Sequence, residues 1–168
     1  MIATATGPGG WAYGIALFFH LLTVIAGFGG IILNGLWGAT IAKATGEPAA
    51  LLARTLDKVS KIAEYFIYAV PVFGILVVVL SDDAHKFSSP WISASFALYI
   101  VGIGISHGLL MPNTRRLVAL AEAGNEPTAE RAAVEKKVAA ISGSLHVILA
   151  LILLLMVFGP STSWLVSK

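Results

Sequence analysis

The sequence predicts an all-α protein whose four helices form a transmembrane bundle. Apolar residues make up 57% of the 168 residues and charged residues 12%, whereas an average soluble domain has about 25% charged residues. The mean hydropathy of +0.86 points the same way. Four apolar segments are each long enough to cross a bilayer, which requires about 20 helical residues. The length suits a single domain, and the lipid bilayer is the expected surrounding of most of the chain.

The first two spans are separated by a short break. Span one is predicted over residues 11–42, and residues 46–48 (Gly-Glu-Pro) interrupt its apolar pattern. An amphipathic segment over 49–60 then leads into span two at 62–80. Pro71 lies inside span two, where it removes one backbone hydrogen bond and predicts a kink.

The last two spans carry helical extensions. Span three is predicted over 91–111, and helical spacing continues beyond Pro112. Thr128 suits the N-cap of the following helix, whose charged first turns lead into span four at 138–158. The Gly-Pro step that ends at Pro160 is expected to stop this helix.

The basic residues predict the orientation of the bundle. Nine of the 11 Lys and Arg residues lie in the two connections after spans one and three: Lys43, Arg54, Lys58, Lys61, Arg115, Arg116, Arg131, Lys136 and Lys137. The opposite side holds Lys86 and Lys168. Because cytoplasmic loops are enriched in Lys and Arg, we expect both termini outside and the helical extensions on the cytoplasmic side.

Composition excludes several classes of function. The chain has no cysteine, so disulfides, thiolate metal sites and iron–sulfur clusters are excluded. A net charge of +2 does not indicate a nucleic-acid partner. The sequence contains no phosphate loop, nucleophile elbow or zincin helix, so nothing suggests nucleotide binding or hydrolysis. Whether the protein is an enzyme is left open.

Three histidines within the spans are the main candidates for chemistry. At about 1.5 Å of rise per residue, His20 lies about 13 Å below the outer surface and His146 about 13 Å above the inner one. Both imidazoles are then near the middle of a hydrocarbon core about 30 Å thick. Imidazole is a usual axial ligand of haem iron, and bundles house cofactors between helices. One hypothesis is therefore haem b held by His20 and His146, with His107, nearer the cytoplasm, as a third cofactor-binding candidate.

A structural role for these histidines is the main alternative. Each imidazole can hydrogen-bond a neighbouring helix and hold the bundle together, and proton transfer or a metal ion are further options. A stripe of small and polar residues at helical spacing is expected to face protein, not lipid: His20, Thr23, Gly27, Gly30 and Asn34. Gly104 and Gly108, beside His107, form a GxxxG step that predicts close helix packing.

Charged residues near the membrane surfaces allow more than one interpretation. Glu64 and Lys61 are three residues apart and are expected to form an ion pair, while Glu64 with Tyr68 would suit a proton pathway. Arg115 and Arg116 are expected to bind lipid phosphates or, alternatively, a haem propionate.

A further metal hypothesis concerns the loop between spans two and three. His85 lies beside Asp82 and Asp83, which favours either a solvated loop or a copper site.

Three segments resemble a known group of membrane proteins. They are FFHLLTVIAGFGGIILNG in span one, MPNTRRLVALAEA after span three, and LHVILALILLLMVFGP in span four. Together they resemble uncharacterised bacterial four-helix membrane proteins, and more distantly the copper-resistance D superfamily with its HemJ-type protoporphyrinogen oxidases. The resemblance implies a bacterial inner-membrane protein and haem or porphyrin binding through a first-helix histidine, here His20. The later-span lysine of those oxidases has no counterpart here, which argues against oxidase activity.

Three functions are therefore compatible with the sequence. The first is a haem-binding electron-transfer or redox-anchor subunit, with other membrane redox subunits or a second copy of the chain as partners. The second is a cofactor-free structural or accessory subunit. The third is a small transporter, for example of copper, or a porphyrin-processing protein.

Overall fold

The computed structural model describes residues 5–44, 46–123 and 128–166. Within these ranges helices are the only regular secondary structure. They are α1 (Trp11–Lys43), α2 (Gly46–Val79), α3 (Pro90–Ile105), a π-helical turn (Ser106–Leu110), α4 (Met111–Ala123) and α5 (Ala129–Val166). Four stretches are long and apolar enough to cross a membrane: Trp11–Leu33, Glu47–Val79, Pro90–Ala121 and Ala129–Pro160. The predicted all-α fold with four spans is confirmed.

One predicted helix end is wrong. The amphipathic segment continues into span two as the single helix α2, whose first turn contains the Gly-Glu-Pro stretch at 46–48. The helix α5 continues through Pro160 to Val166. A proline removes one hydrogen bond and bends a helix, but helices in membranes tolerate it where the freed carbonyl finds another partner. The N-cap is confirmed, since Thr128 Oγ1 accepts the backbone N–H of Arg131 at 3.1 Å.

The π-helical turn follows from Pro112. Proline has no N–H to donate to the carbonyl four residues earlier, and its ring crowds that carbonyl. The chain widens before it: the N–H of Met111 donates to the carbonyl of Ser106, five residues back, and α4 then continues the helix. Such single π-turns often occur at functional sites. This one carries His107.

The helices pack in a ring that is loose on one side. The helix α1 packs against α2 and α5, and α3 packs against α5. In the described part of the chain, the backbones of α2 and α3 hardly approach each other, although α4 beyond the π-turn packs against both α2 and α5. The space between α2 and α3, hereafter the gap, is spanned by side chains, for example by Tyr99, whose hydroxyl donates to the carbonyl of Ile67 at 3.2 Å.

The closest helix contact is between α1 and α2. A Cβ atom on Gly27 would lie 2.9 Å from Ile67 Cγ1 and 3.1 Å from the Ile67 backbone nitrogen, and one on Gly30 would overlap Ala63 Cβ. Glycine is thus required for the backbones to approach. Thr23 is also buried here and bonds to its own helix. The predicted protein-facing stripe is confirmed for Thr23 and both glycines; the Asn34 side chain lies outside the described residues.

The other predicted packing motif makes no such contact. Gly104 and Gly108 are exposed, and no atom of another described helix lies within 4 Å of a Cβ built on either glycine. The prediction of close packing by this pair is therefore wrong within the chain. These glycines lie on the outer face of α3 and the π-turn.

Residue size is distributed as expected for a protein in lipid. Many buried positions are small, including Ala16, Ala49, Ala63 and Ala121, whereas large aliphatic side chains point outward, with Ile25 70% exposed. In hydrocarbon, association of helices depends on close packing rather than on burying apolar area, so small residues are favoured at the contacts. The exposed aliphatic surface is the lipid contact.

A buried arginine ties together the end of the bundle that holds most basic residues, hereafter the basic end. Arg131 is 1% exposed. Its Nε donates to Glu135 Oε1 at 2.9 Å, and its Nη2 donates to the carbonyl of Ala44 at 3.0 Å. This residue therefore fixes the start of α5 against the connection between α1 and α2.

The α1–α2 contact gives a test with a neighbouring control. We expect Gly30→Ala to lower the free energy of unfolding by about 1–3 kcal/mol, because the added methyl overlaps Ala63. Gly29→Ala adds the same methyl to the same helix where the space is open. Thermal unfolding of both variants in detergent measures the difference. Equal stabilities would show that the helices are further apart than described.

Candidate functional site

A cavity of about 300 Å³ lies in the centre of the bundle. Its apolar wall comes from all four spans and includes Phe28, Ile67, Ile103 and Leu149. At the basic end the wall becomes polar, with Asp57, Lys61, Glu64, His107, Thr114 and Arg115. The volume is at the lower end of the range typical of small-molecule sites, about 300–1,000 Å³. A mostly apolar cavity with a few convergent polar groups is the expected form of a binding site.

A carboxylate and an imidazole meet in the wall of this cavity. His107 Nε2 lies 2.8 Å from Glu64 Oε1, so the contact joins the π-turn to α2. Their side chains are 38% and 24% exposed. The hydroxyl of Tyr68 contacts the same Glu64 oxygen and the same His107 nitrogen. Ionisable residues inside membrane spans are costly and commonly mark a functional site.

The hydrogen bonds join Glu64, Tyr68 and His107 into one cluster. His107 Nδ1 is 3.0 Å from the carbonyl of Ile103, which can only accept, so Nδ1 donates and Nε2 faces Glu64 and Tyr68. The Tyr68 hydroxyl contacts both Glu64 Oε1 and His107 Nε2, and it can donate to either of them. The cluster thus places an acid, a hydroxyl and an imidazole within hydrogen-bond distance of one another beside a cavity.

The predicted ion pair of Lys61 with Glu64 is wrong. Lys61 Nζ instead donates to Asp57 Oδ2 at 2.6 Å, one turn earlier on α2. Spacings of three and four residues both bring side chains together on a helix. The carboxylate of Glu64 is directed to another helix because His107 offers it a partner there.

The two arginines of α4 have different surroundings. Arg116 Nη2 donates to Glu130 Oε1, so its charge is paired. Arg115 lines the cavity, is exposed, and donates through Nη2 to Met111 Sδ at 3.5 Å. Thioether sulfur is a weak acceptor. Arg115 therefore offers its donors to an anion at the basic end of the cavity.

A smaller cavity of about 220 Å³ lies toward the other end of the bundle. Its wall includes His20, Gly74, His85, Trp91 and Ser95. His20 Nδ1 donates to the carbonyl of Val70 at 3.0 Å, which leaves Nε2 as the nitrogen that can bind a ligand. Gly74 gives the ring its space, since a Cβ there would lie 3.2 Å from His20 Cε1.

The three predicted cofactor ligands have separate surroundings. His20 lines the smaller cavity and His107 the larger one, while His146 is absent from the described wall of either. His146 Nε2 is buried without a hydrogen-bond partner among the described residues. Both nitrogens of His107 are engaged. His20 Nε2 and His146 Nε2 are therefore each without a partner among the described residues, although the two histidines do not line a common cavity, whereas His107 has both nitrogens engaged.

The predicted copper alternative has little support in the geometry. Asp82 and Asp83 are exposed, and Asp83 lies 3.7 Å from Lys86 Nζ. His85 instead contacts the hydroxyl of Tyr13 at 3.3 Å and the edge of Trp91. Within the ranges described, no group of three or more His, Cys, Asp or Glu residues has the arrangement of a metal site.

The Glu64–His107 pair suggests a double-mutant test. We expect Glu64→Gln and His107→Gln to show a coupling of about 1 kcal/mol in the free energy of unfolding, because the residues contact each other. Glu64→Gln with His85→Gln is the reference pair. Its effects should add, since His85 lies at the other end of the bundle. Thermal unfolding of the three single variants, the two double variants and the wild type measures both couplings, and equal values would argue against the contact.

Comparison with known proteins gives the family of the chain. Residues 15–160 match the profile of DUF2269, whose members are described as predicted integral membrane proteins. No curated protein and no solved structure matches the chain. The link to the copper-resistance D superfamily stays a prediction. Because the match covers most of the sequence, this chain belongs to the DUF2269 family of integral membrane proteins.

Proposed function

We propose that this membrane protein binds a single-chain amphiphile with an anionic head group in the larger cavity. The observation that carries the proposal is the Glu64–His107 pair in the wall of an otherwise apolar intramembrane cavity. A ligand that is apolar along most of its length and polar at one end matches this arrangement. A purely polar solute would leave the apolar wall without a partner.

The gap between α2 and α3 gives such a ligand a way in. The backbones of these two helices hardly approach each other in the described structure, and residues of both line the larger cavity. A molecule dissolved in the bilayer can thus reach the cavity from the side without crossing water. Bundle cores between facing helices are a common location for ligand sites.

The charge at the basic end favours an anionic head group. Lys61 and Asp57 neutralise each other, whereas Arg115 contacts only a thioether among the described residues. The planar guanidinium of arginine matches the oxygens of a phosphate or a carboxylate.

Photolabelling with a synthetic amphiphile tests the proposal. The probe is a single-chain alkyl phosphate that carries a diazirine, applied to the purified protein in detergent. We expect labelled peptides from the cavity wall. Ser142→Trp should abolish labelling because Ser142 is buried and lines the cavity. Ser144→Trp, on the exposed face of the same helix, should leave it unchanged.

The head-group preference has its own comparison. Arg115→Gln should weaken labelling by the phosphate about two- to fivefold, the range of an exposed charge pair. The same change should not affect the corresponding alcohol. Arg116→Gln is the adjacent control, since Arg116 is paired with Glu130. If Ser142→Trp leaves labelling unchanged, the proposal is overturned. If Arg115→Gln leaves labelling by the phosphate unchanged, the preference for an anionic head group is overturned.

Haem binding is the second proposal, and it rests on two imidazole nitrogens. His20 is oriented by its Nδ1 bond so that Nε2 is available, and His146 Nε2 is buried without a partner in the described residues. Protein expressed with ample haem should then show reduced-minus-oxidised Soret and alpha bands that His20→Ala or His146→Ala removes, while His85→Ala retains them. A featureless spectrum of the wild type would exclude this proposal.

A further inference from the structure

The two cavities share part of their walls. Phe28 from α1, Tyr99 from α3 and Ile152 from α5 line both the larger and the smaller cavity. These three side chains, hereafter the partition, therefore stand between the two spaces. The cavities follow each other along the axis of the bundle.

Together the cavities extend along much of the bundle. The larger one reaches Lys61 and Arg115 at the basic end, and the smaller one reaches His85 and Trp91 beside the loop at the opposite end. Polar groups occur along both, with Ser142 in the first and Ser95 in the second. The partition stands between two mostly apolar spaces, each of which has a few polar groups in its wall.

The partition consists of side chains and not of packed backbone. Phe28 and Tyr99 are only partly buried. The Tyr99 hydroxyl donates to the carbonyl of Ile67 at 3.2 Å. This carbonyl lacks its usual helical donor because residue 71 is proline. The Phe28 ring makes no hydrogen bond, so its rotation breaks none.

We propose that the two cavities form one path across the membrane and that the protein translocates the head group of its amphiphile along it, with the partition as the closed point. The inference rests on the proposed binding function, because the bound amphiphile is the cargo. The gap between α2 and α3 lets the acyl chain stay in lipid while the head group moves. Translocation is a further activity that binding alone does not require.

Cysteine accessibility tests the path directly, because the natural chain has no cysteine. Single variants Ser142→Cys and Ser95→Cys report on the larger and the smaller cavity. A charged, membrane-impermeant thiol reagent is added to one side of sealed vesicles. We expect Ser142→Cys to react from the basic side and Ser95→Cys from the opposite side. Ser144→Cys, on the exposed face of α5, should not react because hydrocarbon suppresses the thiolate.

Opening the partition is the decisive step. Phe28→Ala should let Ser142→Cys react from the opposite side about tenfold faster or more, since each 1.4 kcal/mol removed from a barrier raises a rate tenfold. Phe18→Ala is the matched control: it removes the same ring from α1 at a position that is 60% exposed. Elution profile and thermal unfolding show whether each variant is folded.

Transport is then measured in proteoliposomes with the same alkyl phosphate, whose charged head does not cross lipid unaided. We expect the wild type to move it and modification of Ser142→Cys to block it. The proposed path is overturned if a folded Phe28→Ala variant does not let Ser142→Cys react from the opposite side, or if the wild type does not transport the alkyl phosphate. Photolabelling that persists in either event shows that binding survives; loss of photolabelling in the wild type shows that binding itself has failed.

Discussion

The structure depends on one constraint: inside hydrocarbon, each backbone N–H and carbonyl must find a partner within the protein. The prolines show how this shapes the molecule. Pro71 frees the carbonyl of Ile67, and Tyr99 of α3 donates to it across the gap. Pro112 is accommodated by a π-helical turn. Both adjustments lie beside the two cavities. Tyr99, which bonds the freed carbonyl, and His107, which lies on the π-turn, therefore also line the cavity walls.

The same constraint explains why Glu64 and His107 occur together. Glu64 or His107 alone in a membrane span would be a costly group without a partner. Tyr68 and the carbonyl of Ile103 complete the set of hydrogen bonds, and the π-turn aims His107 at α2. The cluster thus bridges α2 to the end of α3, where the helix backbones hardly approach each other.

One side of the bundle is closely packed, and the other side is more open. The contact of α1 with α2 is so close that glycine is required at Gly27 and Gly30. On the other side α2 and α3 leave a gap that Tyr99 and His107 bridge through side chains. A closely packed half and a more open half within one small bundle are compatible with the proposed site for a lipid-soluble molecule.

The sequence by itself determined the four spans, the helical extensions and the protein-facing stripe of α1, because span length and residue size follow directly from the thickness and chemistry of the bilayer. It also identified His20, His107, Glu64 and Tyr68 as polar groups within or near the spans. Only the tertiary structure decided their partners. The sequence predicted an ion pair of Glu64 with Lys61, because residues that are neighbours on one helix can be found from their spacing. The contact of Glu64 with His107 joins residues 43 positions apart, and such a contact depends on how helices are rotated and spaced, which no local pattern records.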